Sequence, residues 1–268
     1  MAEIHPTAVV ESTAKIADDV KIGPFCVIGG DVTIGAGCKL ISQCSIVGHT
    51  TLGENNTVYP FASLGTAPQD YDFKGDKSYL HIGSGNTFRE GFTANCGTKP
   101  ETATVIGNNC YCMTNSHIGH NAKVGNNVIM VNEALLAGYT EVGNNALLAG
   151  LTAVHQFCRV GRLAMIGGVC AISKDLPPFM TCFSRHNTVS GLNLVGLKRS
   201  GMNLATIRTL KDLYKIFYRS PYNVSQSVKK VKTDLDQIPE VLEFIEFVET
   251  AKRGILPGKN EIGKGRDI

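Results

Sequence analysis

Aliphatic side chains recur every six residues along the first two thirds of the chain. The series starts at Ile4 and keeps its phase to Leu64, returns over residues 82–94, and then runs unbroken from Ile106 to Ile172. None of its members is charged. A period of six fits neither a helix nor an ordinary strand, and it is typical of a parallel β-helix in which each hexapeptide forms a short strand and a turn. Three hexapeptides make one triangular coil of 18 residues.

A second position of the repeat, four residues after each aliphatic one, holds small or medium side chains. Six of the nine cysteines occupy it: Cys26, Cys38, Cys44, Cys110, Cys158 and Cys170. We therefore interpret the cysteines as small core residues rather than as a disulfide or zinc framework. The residue directly after the aliphatic position is often glycine.

The repeat is interrupted twice and then ends. The phase breaks at about residues 66–80 and 95–104, and both segments are polar and turn-rich, which predicts loops that leave the coil. The repeat stops at Pro177-Pro178. From about Gly191 the pattern becomes helical and predicts three or four helices over 191–253. The predicted domains are a β-helix over 1–184 and an α-helical cap over 185–268.

Composition narrows the class of protein. Hydrophobic residues make up 43% of the 268 residues and charged ones 18%, which excludes intrinsic disorder. No apolar run is long enough for a membrane helix, and no basic-then-apolar signal region opens the chain. Residues 185–268 carry a net charge of +6, against −3 for residues 1–184. This basic end favours an acidic partner, although an ordinary solvated helical surface explains it equally well.

The 18-residue coil makes one candidate site readable from spacing. Residues 18 apart lie above one another at about 4.8 Å, so Gly138 lies over His120 and Gln156 over Gly138. We expect the imidazole to face outward beside a turn, next to a glycine whose backbone N–H is unobstructed. A base beside an amide donor is what acyl transfer needs, because the base activates a hydroxyl and the amide stabilises the oxyanion.

Two other interpretations of this region stay open. An outward histidine on a β-helix can be an ordinary surface residue. His117, His120 and His155 together could instead form a zinc site, although their spacing and the loop cysteines do not support one. We therefore predict no metal.

Several segments together resemble one family. NSHIGHNAKVG, LLAGYTEVG, GLTAVHQFCRVG, LPPF and GLNLVGLKRSG are similar to the UDP-N-acetylglucosamine O-acyltransferases of lipid A biosynthesis, and the resemblance extends over nearly the whole chain. It implies a left-handed β-helix with a helical cap. It also implies transfer of a (3R)-3-hydroxyacyl group from acyl carrier protein to the 3-position of UDP-N-acetylglucosamine, by a cytoplasmic homotrimer without cofactor. Neither nucleic acid nor an integral membrane segment is expected.

The resemblance also assigns roles to individual residues. It makes His120 the general base and the Gly138 N–H the oxyanion donor. It places Gly168, which lies 18 residues after Gly150, at the position that measures acyl length, and we expect a donor of about fourteen carbons. Residues that would bind substrate are Asp70, His117, His155, Gln156, His186, Asn193 and Arg199, the last at the diphosphate.

Three positions depart from the family pattern. Asn121 replaces the common aspartate, Tyr139 replaces a histidine, and Asp72 replaces a lysine. We expect the Tyr139 hydroxyl to hydrogen-bond Asn121 and aim it at His120, although two independent substitutions are as good an explanation. The departures leave open whether the acceptor carries a 3-hydroxyl or a 3-amino group.

Two other functions remain as alternatives. One is an acetyl-CoA-dependent sugar acetyltransferase on the same solenoid, which binding of acyl carrier protein would distinguish. The other is a non-catalytic scaffold, which requires no outward histidine.

Overall fold

The computed structural model describes residues 1–183 and 187–258, in which 28 short β-strands precede four α-helices. The first fourteen strands are β1 Glu3–Ile4, β2 Val9–Val10, β3 Lys15–Ile16, β4 Lys21–Ile22, β5 Val27–Ile28, β6 Thr33–Ile34, β7 Lys39–Leu40, β8 Ser45–Ile46, β9 His49–Leu52, β10 Thr57–Val58, β11 Ser63–Thr66, β12 Tyr79–Ile82, β13 Thr87–Phe88 and β14 Thr93–Asn95. The other fourteen are β15 Ala103–Ile106, β16 Tyr111–Cys112, β17 His117–Ile118, β18 Lys123–Val124, β19 Ile129–Met130, β20 Leu135–Leu136, β21 Glu141–Val142, β22 Leu147–Leu148, β23 Ala153–Val154, β24 Arg159–Val160, β25 Met165–Ile166, β26 Ala171–Ile172, β27 Met180–Cys182 and β28 Val189–Leu192.

The strands form three sheets that wrap around one axis. Sheet 1 runs β1-β4-β7-β10-β13-β16-β19-β22-β25-β27-β28, sheet 2 runs β2-β5-β8-β11-β14-β17-β20-β23-β26, and sheet 3 runs β3-β6-β9-β12-β15-β18-β21-β24. Every third strand therefore returns to the same sheet. Neighbouring strands are parallel, except that β28 pairs antiparallel with β27. This is the predicted left-handed parallel β-helix, and the fold class is confirmed.

The repeating aliphatic residues fill the interior. From Ile22 onward they are almost fully buried, and the small residues of the second position, including the six cysteines, lie buried among them. Each fully buried Ile, Leu or Val contributes about 1.5–3 kcal/mol relative to an exposed one. The alternation along each strand turns the other side chain outward, so each outward column is free to carry chemistry.

From Phe25 onward, most turns contain one residue in the left-handed backbone region. Asn115, Asn121, Asn127 and Asn145 occupy this place with φ between 56° and 59°, and asparagine adopts such angles more readily than most residues. The identity of Asn121 therefore has a backbone reason as well as any role beside His120.

Two loops leave the coil on the same side. Thr57 pairs with Thr87, and Thr87 pairs with Tyr111, so the usual step of 18 becomes 30 and then 24. The first loop, residues 67–78, thus adds twelve residues, and the second, residues 96–102, adds six. The loops are joined, because the Glu101 N–H donates to the Lys77 carbonyl at 2.8 Å.

The helical cap covers the last coils. Its helices are α1 Leu194–Arg199, α2 Leu204–Tyr218, α3 Val224–Asp234 and α4 Pro239–Glu249. Asn193, Asn203 and Asn223 cap the first three, each accepting a hydrogen bond from a backbone N–H in the first turn. Four helices agree with the three or four expected. The predicted boundary between residues 184 and 185 falls outside the described residues and stays a prediction.

Arg159 is one of the coil arginines that fasten the cap to the coil. Arg159 donates to the buried Asp175 carboxylate at 2.9 Å, to the Phe247 carbonyl at 2.7 Å and to the Thr250 hydroxyl at 3.1 Å. Within the described ranges no helix is both long and apolar enough to cross a membrane.

Candidate active site

The turn between sheets 2 and 3 stacks three residues of interest, and we call it the histidine corner: His120, Gly138 and Gln156. The strands before them, β17, β20 and β23, pair in strict register, which places the turns directly above one another. A Cβ at Gly138 would lie 2.4 Å from the His120 ring. Any side chain at Gly138 would therefore displace the imidazole. Among the described residues, no backbone carbonyl accepts from the Gly138 N–H.

His120 leaves the coil as predicted, but it is not exposed. Only 5% of the residue is accessible, which does not fit the alternative interpretation of His120 as an ordinary surface residue. The first loop covers it, since Asp70 Oδ2 lies 3.4 Å from His120 Nε2. Asn121 Oδ1 lies 3.1 Å from Nδ1. Tyr139 packs edge-on against the ring with a centroid distance of 5.3 Å and stacks in turn on Phe157.

His117 lies in β17, three residues before His120, in surroundings that favour its neutral form. Burial lowers its pKa, and the nearby charge of His120 lowers it further, while a contact with Thr93 acts the other way. His117 Nδ1 lies 2.7 Å from the Thr93 hydroxyl oxygen. A neutral His117 can hydrogen-bond a polar ligand without competing with His120 for the proton.

These residues line one cleft of about 490 Å³ over the outer face of sheet 2. His117, His120, Gly138, His155 and Gln156 all contribute to its wall, together with Gln69 of the first loop and Asn95. Its remaining lining is mostly aliphatic or alanine, for example Leu135, Ala153 and Ala171. The cleft thus combines a polar end at the histidine corner with an apolar strip along the sheet.

The arrangement has the parts that acyl transfer requires. A ring nitrogen faces the cleft, an uncommitted backbone N–H lies beside it, and a carboxylate can hold a neighbouring hydroxyl of the acceptor. Water is partly excluded because the first loop, Tyr139 and Asn121 enclose the imidazole.

Two of the predicted binding residues lie elsewhere in the chain. Asn193 and Arg199 line a second groove, of about 540 Å³, between sheet 1 and α1. The Asn193 amide is already engaged, since Oδ1 accepts from the Gly196 N–H and Nδ2 donates to the Leu163 carbonyl. Arg199 is exposed at the end of α1. His186 lies outside the described residues.

A third feature is the turn between sheets 1 and 2, which we call the glycine corner: Asn132, Gly150 and Gly168. A Cβ at Gly168 would meet only the Gly150 carbonyl oxygen within 4 Å, at 3.4 Å. The nearest atom to a Cβ at Gly150 is the Asn132 carbonyl oxygen, also at 3.4 Å. Side-chain space is therefore free along this column, at the end of sheet 2 opposite to His120.

The structure corrects the expectation for Tyr139. Asn121 Oδ1 accepts from the Thr98 N–H at 2.9 Å rather than from the Tyr139 hydroxyl, and Tyr139 meets His120 through its ring. Asp72 is exposed in the first loop, where its N–H donates to Asp70 Oδ1 at 3.0 Å.

Spacing arguments missed Gln69, Thr93, Asn95 and Thr98. Asn95 Nδ2 donates to the Thr66 hydroxyl and the Ala67 carbonyl, which anchors the start of the first loop. The position of Thr93 could have been found from the sequence. The second loop inserts six residues, so the residue stacked on His117 lies 24 rather than 18 positions before it.

Among residues 1–183 and 187–258, no cluster of three or more His, Cys, Asp and Glu side chains has an arrangement that could hold a metal ion. The three histidines considered for zinc instead engage Thr93, Asn121 and the Gln156 carbonyl.

A β-helix of hexapeptides with a histidine and a free amide at one corner defines the class of hexapeptide acyltransferases. Residues 13–40 match the bacterial transferase hexapeptide family model, and residues 175–256 match the second domain of UDP-N-acetylglucosamine O-acyltransferase. A protein of Thermodesulfovibrio yellowstonii named acyl-[acyl-carrier-protein]–UDP-N-acetylglucosamine O-acyltransferase is 44% identical, over 95% of this chain and 99% of its own. One of the same name from a Sulfurihydrogenibium species is 50% identical, over 96% and 95%. The chain belongs to this family.

Solved structures agree with the sequence comparison. The UDP-N-acetylglucosamine acyltransferase of Bacteroides fragilis superimposes with a TM-score of 0.92 at 36% identity, covering 94% of this chain and 99% of that one. The enzyme of Francisella novicida gives 0.92 at 37% identity, covering 97% and 95%.

Proposed function

We propose that this chain transfers a (3R)-3-hydroxyacyl group from acyl carrier protein to the 3-position of UDP-N-acetylglucosamine. The observation that carries the proposal is the contact of the His120 ring with bare Gly138, beneath the carboxylate of Asp70, in a member of this family. We propose the cytoplasm as its location, a proposal that membership of this family supports.

Proton transfer starts the reaction at His120. Nε2 takes the proton of the sugar 3-hydroxyl as its oxygen attacks the thioester carbonyl, and Asp70 binds the acceptor beside the attacking oxygen. The carbonyl oxygen becomes an oxyanion in the tetrahedral intermediate and accepts a hydrogen bond from the Gly138 N–H. When the C–S bond breaks, the imidazolium returns the proton to the leaving thiolate. The products are the acylated sugar nucleotide and free acyl carrier protein.

Substrate binding follows the polarity of the cleft. His117, His155 and Gln156 would hold the sugar nucleotide and the polar part of the donor. The apolar strip of sheet 2 leads from His120 towards Gly168, and this path suits the acyl chain. A long donor of around fourteen carbons fits an unfilled glycine corner, since each buried methylene adds roughly 0.8 kcal/mol.

A homotrimer explains why Asn193 and Arg199 lie in a separate groove. Within one chain they border sheet 1, away from the cleft on sheet 2. In a closed ring of identical subunits, head-to-tail interfaces join two different surfaces, so the sheet 1 groove of one copy would be able to face the sheet 2 cleft of the next. The guanidinium of Arg199 would then reach the diphosphate from a neighbouring copy.

Helix α2 offers a docking surface for the acidic carrier protein. Arg208, Lys211 and Lys215 of α2 and Arg219 directly after it are exposed, and their spacing of three and four residues places them on one face. Lys211→Glu is expected to raise KM for the acyl carrier protein about threefold or more, because rim charges mainly govern encounter. Lys39→Glu, on the sheet 1 surface of an early coil, is the matched control and should leave KM unchanged. An equal effect of both would remove α2 from this role.

The test of the proposed function is a direct assay. Purified protein is incubated with 3-hydroxyacyl carrier proteins of ten to sixteen carbons and with UDP-N-acetylglucosamine or its 3-amino analogue, and products are read by mass. We expect the 3-hydroxyacyl mass to be added to the sugar nucleotide. Transfer only to the 3-amino analogue would change the acceptor, and transfer only from acetyl-CoA would replace this proposal with a sugar acetyltransferase.

A further inference from the structure

The two excursion loops reach the same imidazole from opposite sides. The first loop places the Asp70 carboxylate 3.4 Å from His120 Nε2. The second loop donates the Thr98 backbone N–H to Asn121 Oδ1 at 2.9 Å, and this oxygen is itself 3.1 Å from His120 Nδ1. Nδ1 is therefore engaged by Asn121, which the second loop holds, whereas the Asp70 carboxylate only lies near Nε2.

An asparagine beside the base creates a problem that an aspartate does not. Its amide carries an acceptor oxygen on one side and a donor NH₂ on the other. If the NH₂ faced Nδ1, that nitrogen would have to accept, and the ring proton would move to Nε2, where it would block the base. In serine proteases, asparagine in place of the orienting aspartate selects this wrong tautomer and lowers kcat about 10⁴-fold.

The second loop removes this ambiguity. A backbone N–H can only donate, so Thr98 must face the oxygen of the Asn121 amide, and the flipped amide would set NH₂ against N–H. The oxygen held by Thr98 is also the one beside Nδ1, which must then carry the ring proton to make its hydrogen bond. Asn121 is fixed further, since its own N–H donates to the Thr104 hydroxyl at 2.8 Å and it is buried.

We propose that Thr98 is a positioning residue whose backbone N–H, acting through Asn121, holds His120 in the Nδ1–H tautomer and leaves Nε2 free as the base. A neutral amide thereby performs the orienting role that a carboxylate performs elsewhere. The inference rests on the proposed function for its kinetic consequence, while the tautomer itself can be observed without any assay.

The kinetic test removes and then bypasses the Thr98 N–H. Thr98→Pro deletes the donor, and kcat is expected to fall roughly 10–100-fold with little change in KM for the sugar nucleotide. Adding Asn121→Asp to Thr98→Pro should restore most of kcat, because a carboxylate presents an acceptor oxygen on both sides. Thr98→Val keeps the N–H and loses only a hydroxyl for which the described residues offer no partner, so it should stay within about twofold.

Two results would overturn the proposal. Thr98→Pro with wild-type kcat would show that the N–H is not needed. A loss of kcat that Asn121→Asp does not restore, in folded protein, would show that proline acts by distorting the loop.

A spectroscopic measurement covers the case in which Thr98→Pro does not fold. The ring ¹⁵N shifts of His120 in the wild-type enzyme, assigned by comparison with His120→Ala, distinguish the two neutral tautomers. The Nδ1–H form is expected, and the Nε2–H form would contradict the proposal. If the wild type showed no acyl transfer but did show the Nδ1–H form, the proposed function alone would fail.

Discussion

The histidine corner and the glycine corner are two turns of the same coils, built on the same hexapeptide pattern, and they are filled in opposite ways. At the histidine corner, His120 occupies the space over the turn so fully that a Cβ at Gly138 would lie 2.4 Å from the ring. At the glycine corner, a Cβ at Gly150 or Gly168 would meet no atom closer than 3.4 Å. Glycine therefore has two structural roles here: at one corner it makes room for the neighbouring imidazole, and at the other it leaves the space above the turn empty.

The difference shows how a repeat can be specialised without changing its backbone. The interior aliphatic ladder fixes the height and direction of every turn, so a single outward residue decides what each corner does. Loops then act only on the corner they cover. The histidine corner lies beneath both loops, while the glycine corner keeps an open column suited to a flexible chain.

The largest effect is expected from the base itself. His120→Ala should lower kcat about 10²–10⁴-fold, because proton transfer to the base is lost. The side chain contacts the first loop and Tyr139 but lies outside the coil interior, so the coil should stay folded with only a modest fall in melting temperature. His81→Ala, an exposed histidine on sheet 3, is the control for both measurements. Turnover near that of the wild type would exclude His120 as the base and favour the scaffold or acetyltransferase alternative.

Alanine in place of Gly138 or Gly150 should have different effects at the two corners. Gly138→Ala should lower kcat at least tenfold, since the new methyl group displaces the imidazole by more than the hydrogen-bond geometry tolerates. Gly150→Ala adds the same methyl group at an ordinary contact distance. This variant should retain the melting temperature of the wild type and the wild-type turnover with short acyl donors. Equal kinetic losses in the two variants would contradict the assignment of different roles.

The glycine corner can be filled to sharpen its role. Gly168→Met should shift preference from donors of about fourteen carbons to shorter ones, because the side chain occupies the column that the last methylenes would fill. Each excluded methylene is expected to cost about fourfold in kcat/KM, corresponding to roughly 0.8 kcal/mol. The check is a competition between carrier proteins of several chain lengths. A wild type that already prefers ten carbons would show that the column is not the acyl slot.

The smallest effect concerns His117, between the two corners. Its lowered pKa means that the folded protein binds this proton less readily than the unfolded chain does. The stability that burial of the neutral His117 ring contributes is therefore fully present above about pH 6.5, the pKa of a histidine in the unfolded chain. It is lost as the pH falls below that value. His117→Gln should show a smaller decrease in unfolding free energy between pH 7 and 5 in urea titrations. If the unfolding free energies of wild type and variant decreased equally between pH 7 and 5, His117 would not be a source of this pH dependence.

The sequence alone was sufficient to predict the features that obey the six-residue repeat. The ladder from Ile4 to Ile172 defines the coil, and the 18-residue step correctly placed Gly138 over His120 and Gly168 over Gly150, because parallel strands in register keep that step constant.

What departs from the repeat could not be predicted in the same way. The contact of Asp70 with His120 and that of Thr98 with Asn121 depend on the path of loops whose residues have no fixed height on the coil. The burial of His120 depends on the same loops. The Tyr139 prediction was wrong because a backbone N–H of the second loop already occupies the Asn121 oxygen.

Acyl transfer at the histidine corner can be tested by comparing three proteins in one assay. Wild type, His120→Ala and Gly150→Ala are each incubated with UDP-N-acetylglucosamine and a 3-hydroxyacyl carrier protein, and the acylated sugar nucleotide is quantified by mass spectrometry. We expect product from the wild type and from Gly150→Ala, and a loss of at least 10²-fold in His120→Ala. Undiminished product from a folded His120→Ala protein would contradict the account.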